Sequence, residues 1–304
     1  MSSIAPRVLE NDVWQVGILP QTGMSTAFGR VARAGEWVDF MRPTPEAAYG
    51  VAPECASYLL IPWSNRVKGG LFSFRGKDHQ LKVNFPDGTA IHGTAKDYPW
   101  KVESVSRTAI AASFDSREHG DVNFPFAFST RAEFRLDGAR FESRISLKNE
   151  GAEPMPGGFG HHPYFQRTIA GVEDTVLLEV PCEEYFELEN CIPWTAPIAV
   201  DERVDFRHLR KLVVIDDCLT GRIGDRPIRF QYPKANLNVT LEFDALFEHV
   251  IVYAPSEQTY FAVEPITNAN DGFNLYARKI RGSGVFELEP GEERSAAFSL
   301  VVER

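Results

Sequence analysis

The chain is poor in the features that mark several common classes of protein. It carries four cysteines in 304 residues, Cys55, Cys182, Cys191 and Cys218, and no two of them form a Cys-x-x-Cys pair. Scattered spacing argues against zinc held by cysteine, and a chain of this size needs no disulfide framework. Buried, reduced thiols in a cytoplasmic protein are the expectation. No stretch approaches the roughly 18 apolar residues of a membrane span. Residues 1–25 lack a basic start followed by an apolar run, so no secretory leader and no membrane partner are expected. Positive charge is also short. Lys and Arg number 32 against 42 Asp and Glu, a formal net charge of −10, which speaks against nucleic acid as a partner. Helical windows are scarce because 20 prolines and 23 glycines punctuate the chain at short intervals. The best helical candidate is a turn or two over 204–212. Internal repeats, low-complexity segments and Ser/Gly-rich linkers are missing too, so one continuous domain over 1–304 is expected.

Strand signals fill the space. The run Ala132 to Leu136 leads into Asp137-Gly138, and a second run follows from Arg140 to Leu147. In that second run Phe141, Ser143, Ile145 and Leu147 share one face, while Arg140, Glu142 and Arg144 share the other. Alternation on both sides of an Asp-Gly pair predicts a β-hairpin with one face buried. Turn signals recur at Gly69-Gly70, Asp87-Gly88 and Pro290-Gly291, and the segment 296–302 is again strand-like. Many short strands with frequent turns predict an all-β fold, a large antiparallel sandwich.

Two dipeptides carry the chemical signal. His162-Pro163 lies within Gly160-His161-His162-Pro163-Tyr164-Phe165, and Glu264-Pro265 closes the apolar run Tyr260 to Val263. Proline pushes the preceding residue towards extended backbone, so His162 and Glu264 should both sit on strands. An imidazole and a carboxylate can divide acid and base work at neutral pH. In an extended Gly158 to His162, the two glycines 158 and 160 point with His162 and would clear space for a ligand beside it. His161 then points to the opposite face. Adjacent histidines on opposite faces make a poor shared metal site, and no His-x-x-x-His spacing exists, so no metal is expected. A glutamate ending an uncharged strand has to be paired, and Glu264 shares a face with Ala262 and Tyr260. The loop residues Asn268, Asn270, Asp271 and Asn274 could wall a site or turn the chain. Further candidates are Asn65-Arg66, His92, and Asp216 or Asp217. Arg66 offers a planar donor fork, and Trp63, Trp100 and Phe165 could stack on a sugar face, although core packing is their default role. His119, His208 and His249 are expected at the surface or in turns.

Taken together, these segments resemble the aldose 1-epimerase (galactose mutarotase) family. The matching landmarks, in order, are NRVKGGLFSFRGK (65–77), IHG (91–93), GHHPYF (160–165), IDDCL (215–219), FEHVIVYAP (247–255) and FAVEPITNANDGFN (261–274). The resemblance implies a large antiparallel β-supersandwich. It implies His162 as general acid and Glu264 as general base, with Asn65, Arg66, His92 and Asp216 as sugar ligands and no cofactor. The chain departs from the family pattern in the sugar pocket. Asp217 stands where many members carry histidine, Leu219 replaces a frequent aromatic, and no residue matches a glutamine that some members use. The implied activity is exchange of α and β anomers of an aldohexose, with the small-molecule sugar as the expected partner. Two alternatives stand beside it. One is an epimerase of an anionic sugar, a hexose 6-phosphate or a sulfosugar, with Arg66, Lys68, Arg278 and Lys279 as conceivable anion contacts. The other is a non-catalytic sugar-binding protein on the same fold. An unperturbed imidazole is only about a quarter protonated at pH 7, so Glu264 is expected to raise the pKa of His162.

Overall fold

Period-two alternation builds the molecule, a computed structural model that describes residues 4–303. The first three residues of the segment read for a leader lie outside the described residues. Every strand pair is antiparallel. A nine-stranded sheet runs from Lys101–Val105 through Ala109–Asp115, Phe128–Asp137, Arg140–Asn149, Glu293–Glu303 and Leu237–Phe243 to Ile228–Tyr232, Leu177–Glu179 and Arg210–Lys211. The predicted hairpin lies at its centre, with Asp137 paired to Arg140 across the turn. Phe141, Ser143, Ile145 and Leu147 are all buried, as the alternation requires. The C-terminal strand extends beyond the predicted 296–302 at both ends.

An eight-stranded sheet packs against it. Its middle is formed by Ile215–Arg222, His249–Ala254, Tyr260–Ile266 and Gly160–His161, with Leu59–Leu60 beyond and Tyr164–Gln166 also paired to Tyr260–Ile266. One face of this sheet, including Val250, Val252, Phe261 and Val263, joins Ile145, Leu147, Phe298 and Leu300 of the other sheet in one continuous core. His161 belongs to that face, its ring 4.5 Å from the Phe298 ring. The opposite face carries Tyr58, Tyr164, Ile251 and Ala262 and floors a cavity. A four-stranded sheet over residues 7–39 covers one flank.

Three expectations fail. Residues 204–212 form no helix, only turns and the short Arg210–Lys211 strand. Among the described residues the only α-helix is Gly272–Ala277, inside the segment read as loop. Its six residues bury Phe273 and Leu275, too few positions for a 3.6-residue period to show. His249 is the third departure. It is fully buried, with Nδ1 2.8 Å from Thr220 Oγ1, because the strand that carries it crosses the middle of the sheet.

Candidate active site

Strand register brings the acid–base candidates together. Gly160 pairs with Ile266 and Tyr164 with Ala262, which leaves His162 directly opposite Glu264. On the other side Gly160 pairs with Leu60 and His161 with Leu59, which sets Tyr58 opposite His162. Glu264 in turn pairs with Ile251. Tyr58, His162, Glu264 and Ile251 therefore form one row across the sheet, pointing to the same face. His162 falls in the two-residue gap between Gly160–His161 and Tyr164–Gln166 and not on a strand as expected, and Tyr58 just precedes Leu59–Leu60. Asp216, Tyr253, Ala262 and Tyr164 form the next row.

Above these rows is a cavity of about 550 Å³, of the size range that takes small organic ligands. Asn65, Arg66, His92, His162, Asp216 and Glu264, the whole predicted set, line it. Asn65 and His92 both adopt left-handed backbone, with φ of 56° and 62°. Such conformations cost about 1–3 kcal/mol and cluster at functional sites. A mutual link holds the two turns, since the His92 amide donates to the Asn65 carbonyl at 3.0 Å. Arg66 Nε donates to Asp87 at 2.8 Å, and no protein acceptor occupies its two terminal nitrogens among the described residues. Asp271 accepts from the Lys68 amide and donates its own amide to the Arg66 carbonyl, which fixes the Arg66 strand.

His162 Nε2 lies 3.2 Å from Glu264 Oε1, with both side chains almost completely buried. The expected rise in the His162 pKa does not occur. Burial pushes the imidazole down to about 3, and the Arg42 and Arg66 charges push in the same direction. Burial also raises the Glu264 carboxyl well above its ordinary range, helped by Asp216 and opposed by Arg66. Desolvation thus outweighs pairing on both partners, and burial favours the neutral arrangement with the one proton between them on Glu264. A single transfer along the 3.2 Å contact converts it to imidazolium and carboxylate.

Asp216 opens onto the cavity, whereas Asp217 is buried and turned away, held by both terminal nitrogens of Arg203 at 2.5 and 2.9 Å. Protein around the Asp216 carboxyl raises its pKa and Arg66 draws it back. The two-residue strand period therefore decides between these neighbours.

Other expectations are corrected. The glycines beside His162 make room for protein, not ligand. A Cβ on Gly158 would fall 1.7 Å from Asn268 Oδ1, and one on Gly160 would fall 2.6 Å from Ile266 Cγ2. In that space the Asn268 carboxamide accepts from the Ser64 amide and donates to the Gly157 carbonyl, while the Asn268 backbone exchanges two further bonds with the Ser64 hydroxyl. Asn270 and Asn274 likewise bind the carbonyls of Cys191 and Leu71, so this loop braces the pocket from outside. Trp63, Trp100 and Phe165 are buried in the core and do not line this cavity. The aromatic walls are Tyr58, Phe85, Tyr164, Tyr253 and Tyr260. Of the four cations read as anion contacts, only Arg66 lines the cavity. Lys68 and Arg278 both lie over Trp194, and Lys279 lines a separate groove. A missed cation does line it: Lys96, with its side chain 5% exposed. Nothing in the local sequence marked Lys96, and the tyrosine walls emerge only once the register is known.

The fold is that of the galactose mutarotase-like proteins. A galactose mutarotase-like protein from Clostridium acetobutylicum superposes with a TM-score of 0.86 at 18% identity, covering 98% of this chain and 94% of that one, a likeness of fold. In sequence, the Escherichia coli K12 protein YihR is 25% identical over 252 residues, 81% of this chain and 79% of its own length. YphB of the same organism is 24% identical over 283 residues, 88% of this chain and 91% of its own. The aldose 1-epimerase family model matches residues 32–300, and the chain belongs to that family.

Proposed function

We propose that the protein is an aldose 1-epimerase that exchanges the α and β anomers of an aldohexose. The observation that carries this reading is the contact between His162 and Glu264 on the floor of a cavity of monosaccharide size. A sugar that displaces water and brings its hydroxyls to the pair favours the charged arrangement, in which Arg66 stabilises the Glu264 carboxylate. Glu264 then takes the proton from the anomeric hydroxyl while His162 gives its proton to the ring oxygen. The bond between C1 and the ring oxygen breaks, and its electron pair stays on that oxygen, leaving an open-chain aldehyde. Rotation about C1–C2 presents the other carbonyl face. On closure the hydroxyl that carries the former ring oxygen attacks C1 and returns its proton to His162, and Glu264 returns its proton to the anomeric oxygen. No electrons are gained or lost, so the cycle needs no cofactor. Asn65, Arg66, His92 and Asp216 hold the hydroxyls in this scheme, and the protein acts as one domain.

A specific observation favours a second reading, in which the sugar bears an anionic group. The Lys96 ammonium has given up most of its hydration, and Asp97 at 2.9 Å and the Gly93 carbonyl at 3.3 Å take two of its three N–H donors. The third, with the terminal nitrogens of Arg66, can receive a negatively charged oxygen. Fresh α-glucose, α-galactose and glucose 6-phosphate should be followed as they relax to equilibrium, with wild type and Lys96→Met. Enzyme-accelerated relaxation supports the epimerase. Glucose 6-phosphate preferred by the wild type, with that preference lost in Lys96→Met, selects the anionic reading. Sugar binding without acceleration would replace both with a binding protein.

A further inference from the structure

One group in the pocket has a contact that the two-residue scheme does not use. Tyr164 Oη lies 3.5 Å from His162 Nε2, the same nitrogen that faces Glu264. The imidazole is gripped by aromatic rings. Tyr58 stacks on it at 4.8 Å and 20°, Tyr164 lies at 4.5 Å and 39°, and the His92 edge meets it at 5.2 Å and 83°. Its other nitrogen, Nδ1, is buried with no side-chain hydrogen-bond partner among the described residues, so the contacts of Nε2 bear on where the ring points within that grip. Behind Tyr164 sits Arg42. Its guanidinium carbon is 4.0 Å from the Tyr164 ring centroid and 4.7 Å from that of Tyr260. The carbonyls of Pro53 and Cys55 anchor the guanidinium, and the Arg42 amide donates to the Tyr164 carbonyl at 3.0 Å. Arg42 is therefore fixed against Tyr164 from both side chain and backbone.

We propose that Tyr164 is a positioning residue: its hydroxyl, backed by Arg42, donates to His162 Nε2 once that nitrogen has released its proton, and keeps the neutral imidazole aimed at the open-chain sugar for ring closure. The proposal rests on the acid–base reading of the same site. Its chemistry follows from the groups in view. Ring opening leaves a lone pair on Nε2 and a protonated Glu264 whose proton has to return to the anomeric oxygen on closure, and the Tyr164 phenol is the second donor within reach of that lone pair. A cation against the ring face draws electron density from the phenol and strengthens it as a donor. Burial raises the Tyr164 pKa, with Glu264 acting in the same direction, so the hydroxyl keeps its proton to donate. The titratable and charged groups that face His162 are Tyr58, His92, Tyr164 and Glu264, with Arg42 and Arg66 acting from further off.

Tyr164→Phe removes the donor and keeps the ring. Two measurements test it, anomer exchange across pH and the imidazole ¹⁵N shifts of His162 in sugar-free protein. A donor to the neutral imidazole disfavours the charged form, so its loss must move His162 titration to higher pH. Exchange should slow about tenfold at saturating sugar, the worth of one hydrogen bond, with KM within twofold. Arg42→Met should shift titration in the same direction and slow exchange less, and it serves as the second variant should Tyr164→Phe fold poorly. A folded Tyr164→Phe with unchanged His162 titration overturns the proposal, as does an effect confined to KM. If the ¹⁵N titration shifts but wild type accelerates exchange of no sugar, the hydrogen bond stands and the epimerase reading falls.

Discussion

Replacing Glu264 by glutamine should abolish activity and make the protein more stable. Glu264 is 2% exposed and its carboxyl is held protonated well above the ordinary glutamate range, chiefly by burial. The sign follows from linkage. In the unfolded chain the carboxyl ionises near pH 4.5, while in the folded protein burial moves its ionisation well above that. Above that pH the folded state binds the extra proton, so the stability of the wild type falls as pH rises towards the folded pKa. The slope for one proton is about 1.4 kcal/mol per pH unit. Glutamine is uncharged in both states, nearly isosteric, and its amide can still face His162 Nε2, so the variant escapes that loss. Urea unfolding at pH 5, 6 and 7 should show Glu264→Gln gaining on wild type at each step, by up to about 1.4 kcal/mol per unit. In the same preparations the exchange rate should fall by about 10²–10⁴, the usual worth of a general base. A variant less stable than wild type at pH 7, or one that loses under tenfold in rate, would refute the reasoning. Active sites commonly trade stability for function in this way.

The remaining outcomes concern neighbours of the site. Asp216→Asn should raise KM without lowering the urea midpoint, whereas Asp217→Asn should leave KM alone and lower the midpoint by weakening the Arg203 pair; kinetics and unfolding on both variants check this. Gly158→Ala should cost about 2–3 kcal/mol, because its Cβ would displace the Asn268 carboxamide from Ser64; a midpoint within error of wild type would count against that packing. Burial holds His161 and His249 down to a pKa of about 3, so each takes up a proton on unfolding below about pH 6. Each contributes a loss of about 1.4 kcal/mol per pH unit between roughly pH 6 and 4.5, beside the like contribution of buried His162, and His161→Phe should remove its own share of about 1.4 kcal/mol per unit from the acid slope.

Much of the site was legible because it lies on strands or directly beside them. Two X-Pro steps placed His162 and Glu264 in extended backbone, and alternation assigned His161 to the core and Phe141 to Leu147 to a buried face. Alternation could have chosen Asp216 over Asp217 had the facing strand been known. The rest depended on contacts far apart in sequence. Gly158 and Gly160 look like clearance for a ligand until Asn268 and Ile266 are seen in that space. Tyr58 meets His162 only through pairing with a strand a hundred positions earlier, and Lys96 reaches the cavity through a turn with no hydrophobic period. The protonation of the pair was misread for a physical reason. Pairing raises the pKa of an imidazole, but burial, which depends on the folded packing, dominates both groups here.

The most direct test of the central claim is a double-variant cycle on anomer exchange, read by exchange NMR at equilibrium. Wild type, His162→Asn, Glu264→Gln and the double variant would be compared on the preferred sugar. If the two residues work as one acid–base unit, each single change removes most of the acceleration and the double variant is hardly slower than either. Losses that multiply independently, or a single variant that keeps near wild-type exchange, would contradict it.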